Sequence, residues 1–272
     1  MRTWNLSSIW SIPTAAGTAW LKSVPPFFAH EGRIIDWLAD PALPPLLGFE
    51  DGRVLMAEIE GDDQYEAALP TLVQAVDTLV AIQDRVSLRA DELLALGLPD
   101  WRWPALRVLI ADVIERHGHE LDGAQQRVLA RFSDTLDERI SAIDACGLPL
   151  TLVHGDFHRG NLRGTGEGLR LLDWGDCGVG HPLFDVPAML EPLAPEVRAS
   201  LLTMWVDAWQ ERRPGSDALR AQQLIEPIAA VRQALIYRGF LDAIEPSERC
   251  YHERDPKRWL RRAAALAAEP EV

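Results

Sequence analysis

The chain of 272 residues is 47% hydrophobic and 25% charged, a usage typical of globular proteins and sufficient for one large domain or two lobes around a cleft. No apolar run approaches the roughly 18 residues that a membrane-spanning helix needs, which argues against a membrane protein. The net charge of −14 argues against a nucleic-acid partner, which requires a basic surface, and is compatible with a cationic small substrate.

The N-terminal sequence and the isolated cysteines are typical of a cytoplasmic protein. The start, Met-Arg-Thr-Trp-Asn-Leu, lacks the basic segment, apolar stretch and cleavage site of an exported protein, so we expect a cytoplasmic protein. Cys146, Cys177 and Cys250 are isolated, which argues against a disulfide framework or a zinc site. Only Lys22 and Lys257 are lysines among the 27 basic residues, so Lys22 is a candidate for a role that needs a compact ammonium group.

The first sixty residues favour β-strands and one helix. Short apolar stretches alternate with glycine and proline, as in strands joined by turns. One stretch instead has apolar residues three and four positions apart, as in a helix. The predicted elements are strands at 9–12 and 19–24 around a turn at Pro13–Gly17, a helix at 30–39, and two strands separated by Gly48–Gly52, the second at Val54–Ile59.

The rest of the chain is mainly helical. Apolar residues recur at spacings of three and four over long stretches, as in amphipathic helices. The predicted elements are helices around Leu69–Val80, Trp103–His117 and Gln125–Ala145, a β section over 150–173, and helices around 196–211, 220–244 and 256–268. This order predicts an α+β chain with a small β-rich lobe at residues 1–61 and a larger, mostly helical lobe at residues 62–272.

Three oxygen-bearing side chains lie in the β section. Asp156 and Asn161 are five residues apart in a loop that contains Gly155 and Gly160, and Asp173 ends the next strand pair. Phosphoryl transfer needs a carboxylate near the attacking hydroxyl and hard oxygen ligands for Mg²⁺ on the nucleotide phosphates. The segment offers these groups.

The same segment resembles the motifs of a known family. His154-Gly-Asp-Phe-His-Arg-Gly-Asn161 and Leu172-Asp-Trp-Gly175 are similar to the catalytic loop and metal-binding motif of the aminoglycoside phosphotransferase and choline kinase superfamily. Gly180-His-Pro-Leu-Phe-Asp185 resembles the continuation, with His181 in place of its first acidic residue. The resemblance implies a two-lobed protein-kinase-like fold. It also implies an ATP- and Mg²⁺-dependent enzyme that moves the γ-phosphate to a hydroxyl of an aminoglycoside-like antibiotic or a small metabolite.

The resemblance assigns roles within the motifs. It implies that Asp156 is the catalytic base and that His154 orients the loop. It implies that Asn161 and Asp173 are Mg²⁺ ligands, and that Asp185 anchors the catalytic loop.

By the same resemblance, the lobe at residues 1–61 binds the nucleotide. A kinase needs a lysine on a strand and a glutamate on the next helix to hold the phosphates, and Lys22 and Glu31 fit this order. The stretch Asn5-Leu-Ser7-Ser8 resembles the serine-containing turn that this superfamily uses at the phosphates. Few residues precede this turn, so we expect the first strand of the lobe to be missing or nearly so.

The stretch Leu55-Met-Ala-Glu-Ile-Glu-Gly61 resembles the hinge of the superfamily. On that match Met56 borders the adenine pocket. The backbones of Ala57 and Ile59 are then the hydrogen-bonding partners of the adenine edge.

Two alternative functions remain open at this stage. In the first, His154, Asp156 and His158 form the metal cluster of a hydrolase, since the spacing puts three ligands on alternate positions. In the second, the chain binds a nucleotide without catalysis, which the short N-terminus suggests. The acceptor and the oligomeric state are not predicted. The acidic residues near the hinge are compatible either with a cationic acceptor or with a solvated turn.

Overall fold

A computed structural model describes residues 2–3 and 7–268. Its internal contacts divide the chain into two compact units. The first unit runs to Pro99 and continues over Leu150–Ala208, and the second comprises Asp100–Pro149 and Trp209 onward. These units are not the two predicted lobes, because residues 1–61 are grouped with the chain up to Pro99 and with Leu150–Ala208. The lobe boundary at residue 61 stays a prediction.

The first unit contains a five-stranded antiparallel sheet in the order β1-β2-β3-β5-β4. The predicted hairpin is confirmed as β2 and β3. The strand expected to be missing or nearly so is present as the two-residue β1, which pairs with β2, while Asn5 and Leu6 of the predicted phosphate turn lie outside the described residues. Gly48 lies within β4 rather than in the turn, which occurs at Asp51-Gly52. The strands are β1 (Arg2–Thr3), β2 (Ser8–Thr14), β3 (Gly17–Ser23), β4 (Leu46–Glu50) and β5 (Arg53–Ala57).

The predicted short helix is confirmed as α1 (Glu31–Leu38), between β3 and β4. Its apolar spacing buries Ile34, Ile35 and Leu38, each of which contributes about 1.5–3 kcal/mol when removed from water. The helix ends at Leu38 and is followed by Ala39, which has a left-handed backbone with φ of 45°. Glu31, in the first turn, is also buried.

The remainder of the first unit combines helices with two short strand pairs. β6 pairs with β9 and β7 pairs with β8, both antiparallel, which confirms β structure between 150 and 173. The amphipathic helix predicted from Leu69 is confirmed as α2, with its apolar face buried. These elements are α2 (Leu69–Val86), α3 (Ala90–Ala95), β6 (Thr151–Val153), β7 (Leu162–Arg163), β8 (Arg170–Leu171), β9 (Gly178–Gly180), α7 (Val186–Leu190) and α8 (Pro195–Arg212), whose residues from Trp209 onward belong to the second unit.

The second unit is built mainly of five α-helices in the part of it that the structure describes. The single helix predicted over Gln125–Ala145 is wrong, because the chain breaks at Thr135, whose hydroxyl donates to the Arg131 carbonyl. The helices are α4 (Trp103–His117), α5 (Gly123–Asp134), α6 (Leu136–Asp144), α9 (Ala218–Ala243) and α10 (Asp255–Ala268). Among the residues that the structure describes, no helix combines the length and apolar character needed to cross a membrane.

Candidate active site

The loop between β6 and β7 begins with a glycine that no other residue could replace without movement. Gly155 has φ of +91°, and a Cβ built on it would overlap the backbone oxygen of Asp176. This close approach packs the loop against the segment that follows Asp173. The glycine is therefore required by the local backbone.

Asp185 fixes the start of this loop by hydrogen bonds to its backbone. Its buried carboxylate accepts hydrogen bonds from the backbone amides of His154 at 2.9 Å and Gly155 at 2.8 Å. A third bond, of 2.9 Å, comes from Nε2 of Gln83 on α2, and the Gln83 carbonyl in turn accepts from the Thr151 hydroxyl. These contacts fit the anchoring role expected of Asp185. Gln83 was not singled out from the sequence.

Asp156 projects from the middle of the loop, with 43% of its side chain exposed. Nδ2 of Asn161 donates to the Asp156 carbonyl at 2.8 Å and to its Oδ2 at 3.1 Å, while Nε2 of His158 lies 3.3 Å from the same Oδ2. Desolvation would raise the pKa of Asp156, but the hydrogen bonds from His158 and Asn161 outweigh it and lower the pKa. The carboxylate is therefore ionised and accessible.

His154 lies beneath the loop and is fully buried. Its Nε2 is 3.0 Å from the Leu172 carbonyl, and its ring centroid is 4.5 Å from that of Trp174. Burial lowers the pKa of the imidazole, so the ring is neutral near pH 7. It connects the loop to the strand that leads to Asp173, which fits an orienting role.

Lys22 on β3 brings Glu31 and Asp173 together. Its ammonium lies 2.7 Å from Glu31 Oε1 and 2.6 Å from Asp173 Oδ1. Lys22 and Glu31 are buried, whereas the side chain of Asp173 is 46% exposed. Burial would lower the pKa of Lys22, but the two carboxylates outweigh it and raise the pKa, so the lysine is charged.

The two expected metal ligands lie on neighbouring backbone segments. The amide of Leu172 donates to the Asn161 carbonyl at 2.8 Å, which fixes Asn161 beside the residue that precedes Asp173. Asp173 has a left-handed backbone with φ of 61°, an uncommon conformation outside glycine. The side-chain nitrogen Nδ2 of Asn161 donates to Asp156. The Oδ1 of Asn161 is therefore the group that can bind a cation.

The remaining nucleotide candidates lie along the sheet. Ile9 pairs with Lys22 and Ser8 pairs with Ser23, so Ser8 lies one register position away from the lysine, and Ser7 immediately precedes β2. Met56 pairs with Trp20 on the same strand as Lys22.

The hinge candidates are partly engaged within the chain. The Ala57 amide donates to the Pro45 carbonyl at 2.9 Å, and the Ile59 carbonyl accepts from Nε of Arg163 at 2.9 Å. Arg163 was not singled out from the sequence, because a backbone carbonyl as its partner leaves no pattern in side-chain types.

The cluster expected of a metal-dependent hydrolase is not formed in residues 2–3 and 7–268. No three His, Cys, Asp or Glu side chains in this part of the chain form a group that could hold a metal ion. The ring of His154 faces the Leu172 carbonyl. His158 instead accepts from the Gly160 amide at its Nδ1 and contacts Asp156 at its Nε2.

A comparison with protein-family models gives one match. The APH model, described as "Phosphotransferase enzyme family", matches residues 26–224 of this chain. The matched range includes Glu31, the loop with Asp156 and Asn161, and Asp173. No curated protein matches at a significant level.

Solved structures similar to this chain include small-molecule phosphotransferases and kinases. The macrolide 2'-phosphotransferase MphH from Brachybacterium faecium has a TM-score of 0.62 at 19% identity, covering 99% of this chain and 91% of that one. A choline/ethanolamine kinase family protein from Mesorhizobium loti has a TM-score of 0.60 at 16% identity, covering 97% and 89%. A thermostable mutant of aminoglycoside phosphotransferase APH(4)-Ia, in complex with ADP and hygromycin B, has a TM-score of 0.56 at 18% identity, covering 99% and 94%. The α+β fold of the kinase-like type is thus confirmed.

Proposed function

Because the chain belongs to the phosphotransferase enzyme family, we propose that it transfers the γ-phosphate of ATP to a hydroxyl group of a small molecule, with Mg²⁺ as its metal cofactor. The observation that carries this proposal is the contact of Lys22 with both Glu31 and Asp173. A charged lysine held by a glutamate, beside a partly exposed aspartate, is the arrangement that nucleotide phosphates require.

Asp156 is the proposed base. Its lowered pKa keeps it ionised at neutral pH, and its exposed carboxylate can accept the proton of an acceptor hydroxyl. Asn161 and His158 hold the carboxylate by hydrogen bonding. His154 and Asp185 support the loop and do not themselves contact the reacting groups.

The donor set near Asp173 fits Mg²⁺. Asn161 Oδ1 and the second oxygen of Asp173 are hard oxygen donors, and Mg²⁺ prefers a few such protein ligands together with phosphate and water. Bound there, Mg²⁺ would neutralise charge on the nucleotide phosphates. Asn161 and Asp173 are the residues proposed to hold it.

For the nucleotide, Lys22 is proposed to bind the phosphates, and Ser7 and Ser8 to lie at the phosphate turn. Met56 borders the adenine. Since the Ala57 amide and the Ile59 carbonyl are engaged within the chain, the groups proposed for the adenine edge are the Ala57 carbonyl and the Ile59 amide.

The acceptor is proposed to be a cationic molecule with a free hydroxyl. The exposed acidic residues Glu60 and Asp62 follow the hinge and offer charge-assisted hydrogen bonds to amines. The test uses the purified protein, Mg²⁺ and γ-labelled ATP, with a panel of aminoglycosides, macrolides, choline-like amines and sugars. We expect label in the acceptor from one class of this panel. Transfer that proceeds equally well in EDTA would contradict the proposed use of Mg²⁺.

A further inference from the structure

The segment that connects β5 to α2 is hydrogen-bonded to the hairpin of β7 and β8. The Gln64 amide donates to the Leu162 carbonyl at 3.1 Å, and the Gly164 amide donates to the Asp62 carbonyl at 3.0 Å. Gly61 approaches the hairpin so closely that a Cβ on it would lie 2.9 Å from the Cα of Gly164. The segment thus has one defined position relative to the hairpin.

Arg163 of β7 makes two bonds across this contact. Its Nε donates to the Ile59 carbonyl at 2.9 Å, and its Nη1 lies 2.6 Å from Asp63 Oδ1. Its side chain is 29% exposed, so the guanidinium is partly shielded from water. The planar guanidinium can hold both groups at fixed positions, which a lysine ammonium cannot do equally well.

The bond to Ile59 determines which hydrogen-bonding groups the hinge offers. The Ile59 carbonyl is taken by Arg163 and the Ala57 amide by Pro45, so the groups proposed to meet the base are the Ala57 carbonyl, an acceptor, and the Ile59 amide, a donor. Adenine presents a donor at its 6-amino group and an acceptor at N1. Guanine presents the reverse, an acceptor at O6 and a donor at N1. The remaining pair is therefore complementary to adenine.

We propose that Arg163 is a positioning residue that makes the nucleotide site select adenine over guanine, by occupying the Ile59 carbonyl and fixing the orientation of its peptide group. This inference rests on the proposed function, in which the base lies against Ala57 and Ile59. Without the arginine, the Ile59 carbonyl becomes available as an acceptor for guanine N1–H. A mismatched donor or acceptor left unpaired in such a site weakens binding by about tenfold or more.

The test is a binding measurement that needs no acceptor. Isothermal titration calorimetry with AMP-PNP and GMP-PNP, each with Mg²⁺, gives the ratio of the two dissociation constants. We expect the wild type to favour AMP-PNP by at least about tenfold. Arg163→Gln should weaken AMP-PNP binding and reduce the ratio by about tenfold, and Arg163→Lys should fall between the two.

Two variants serve as controls. Arg170→Gln removes an arginine from the paired strand β8, where Arg170 donates to the carbonyls of Glu167 and Leu169, and should leave the ratio unchanged. Asp63→Asn removes the ionic partner but leaves the Ile59 bond, and should largely keep the ratio. Thermal unfolding of each variant verifies that it is folded.

The outcomes separate the inference from the function on which it rests. A wild type that binds neither nucleotide contradicts the proposed function. A wild type that binds AMP-PNP but prefers neither base, or an Arg163→Gln variant that keeps the wild-type ratio or weakens both nucleotides equally, overturns the role of Arg163 alone.

Discussion

The ammonium of Lys22 lies 2.6 Å from the carboxylate of Asp173, although 151 positions separate the two residues in the sequence. The lysine is buried, and its other partner is the buried Glu31. The contact joins a strand of the five-stranded sheet to the segment that follows the proposed catalytic loop. It therefore brings together the groups that we propose to bind the nucleotide phosphates.

The buried pair predicts a pattern of stability in a double-mutant cycle. Lys22→Met should lower the free energy of unfolding by about 3 kcal/mol, because it leaves Glu31 buried without a cation. Adding Glu31→Gln removes the unpaired charge and should recover most of this loss, while nucleotide binding stays impaired. Urea denaturation of the four proteins measures the cycle. Additive losses in the double variant would show that the two side chains are not energetically coupled.

The proposed metal ligands predict a change in Mg²⁺ dependence. Asn161→Ala and Asp173→Ala each remove an oxygen ligand, so each should raise the Mg²⁺ concentration for half-maximal activity by about tenfold, equivalent to 1.4 kcal/mol. Glu167→Ala removes an exposed carboxylate from the same hairpin and serves as the control. Metal titration of ATP turnover provides the measurement. An unchanged activation curve in both ligand variants would rule out this metal site.

Gly155 and Gly166 form a matched pair for backbone strain. Both have positive φ, of +91° and +56°, but a Cβ would overlap Asp176 only at Gly155 and meets nothing within 4 Å at Gly166. Gly166→Ala should cost about 1–2 kcal/mol of stability, from the left-handed backbone alone. Gly155→Ala should cost more and lower turnover, because the loop with Asp156 must move. Equal losses in chemical denaturation would contradict the close packing of the loop.

Burial lowers the pKa of His30 to about 4. In the unfolded chain, the His30 imidazole binds a proton near pH 6.5, whereas in the folded chain it stays neutral until about pH 4. The contribution of neutral His30 to the free energy of unfolding is therefore present above pH 6.5 and is lost as the pH falls toward 4. Between pH 7.5 and 5 this loss is about 2 kcal/mol. His30→Gln should reduce the pH dependence of the free energy of unfolding by this amount. Identical slopes in urea denaturation of variant and wild type would exclude His30 as a cause.

Local patterns allowed much of the fold to be predicted. The β2–β3 hairpin, α1 and α2 follow from apolar spacing and turn residues, which act over a few positions. The break at Thr135 was missed because the apolar spacing continues through it, while the side chain competes for the Arg131 carbonyl. The two-residue β1 agrees with the expectation that the first strand is nearly missing, and so short a strand has no sequence pattern of its own.

The candidate site was predictable where closely spaced polar residues carry the chemistry. Asp156, Asn161 and Asp173 occur within one short segment, and Lys22 stands out as one of two lysines. Gln83 and Arg163 were missed because their partners, Asp185 and the Ile59 carbonyl, are about a hundred residues away. Such pairs become visible only when the tertiary fold brings them together.

The most direct test of the central claim is phosphate transfer by Asp156→Asn compared with the wild type. Transfer of γ-label from Mg·ATP, to an acceptor of the panel or to water, is measured at saturating nucleotide, and AMP-PNP affinity is measured in parallel. Loss of the general base should reduce the rate by about 10²–10⁴-fold, while AMP-PNP affinity stays within about twofold, because the change leaves the contacts of Lys22 intact. A variant that transfers phosphate at the wild-type rate would contradict the assignment of Asp156 as the base.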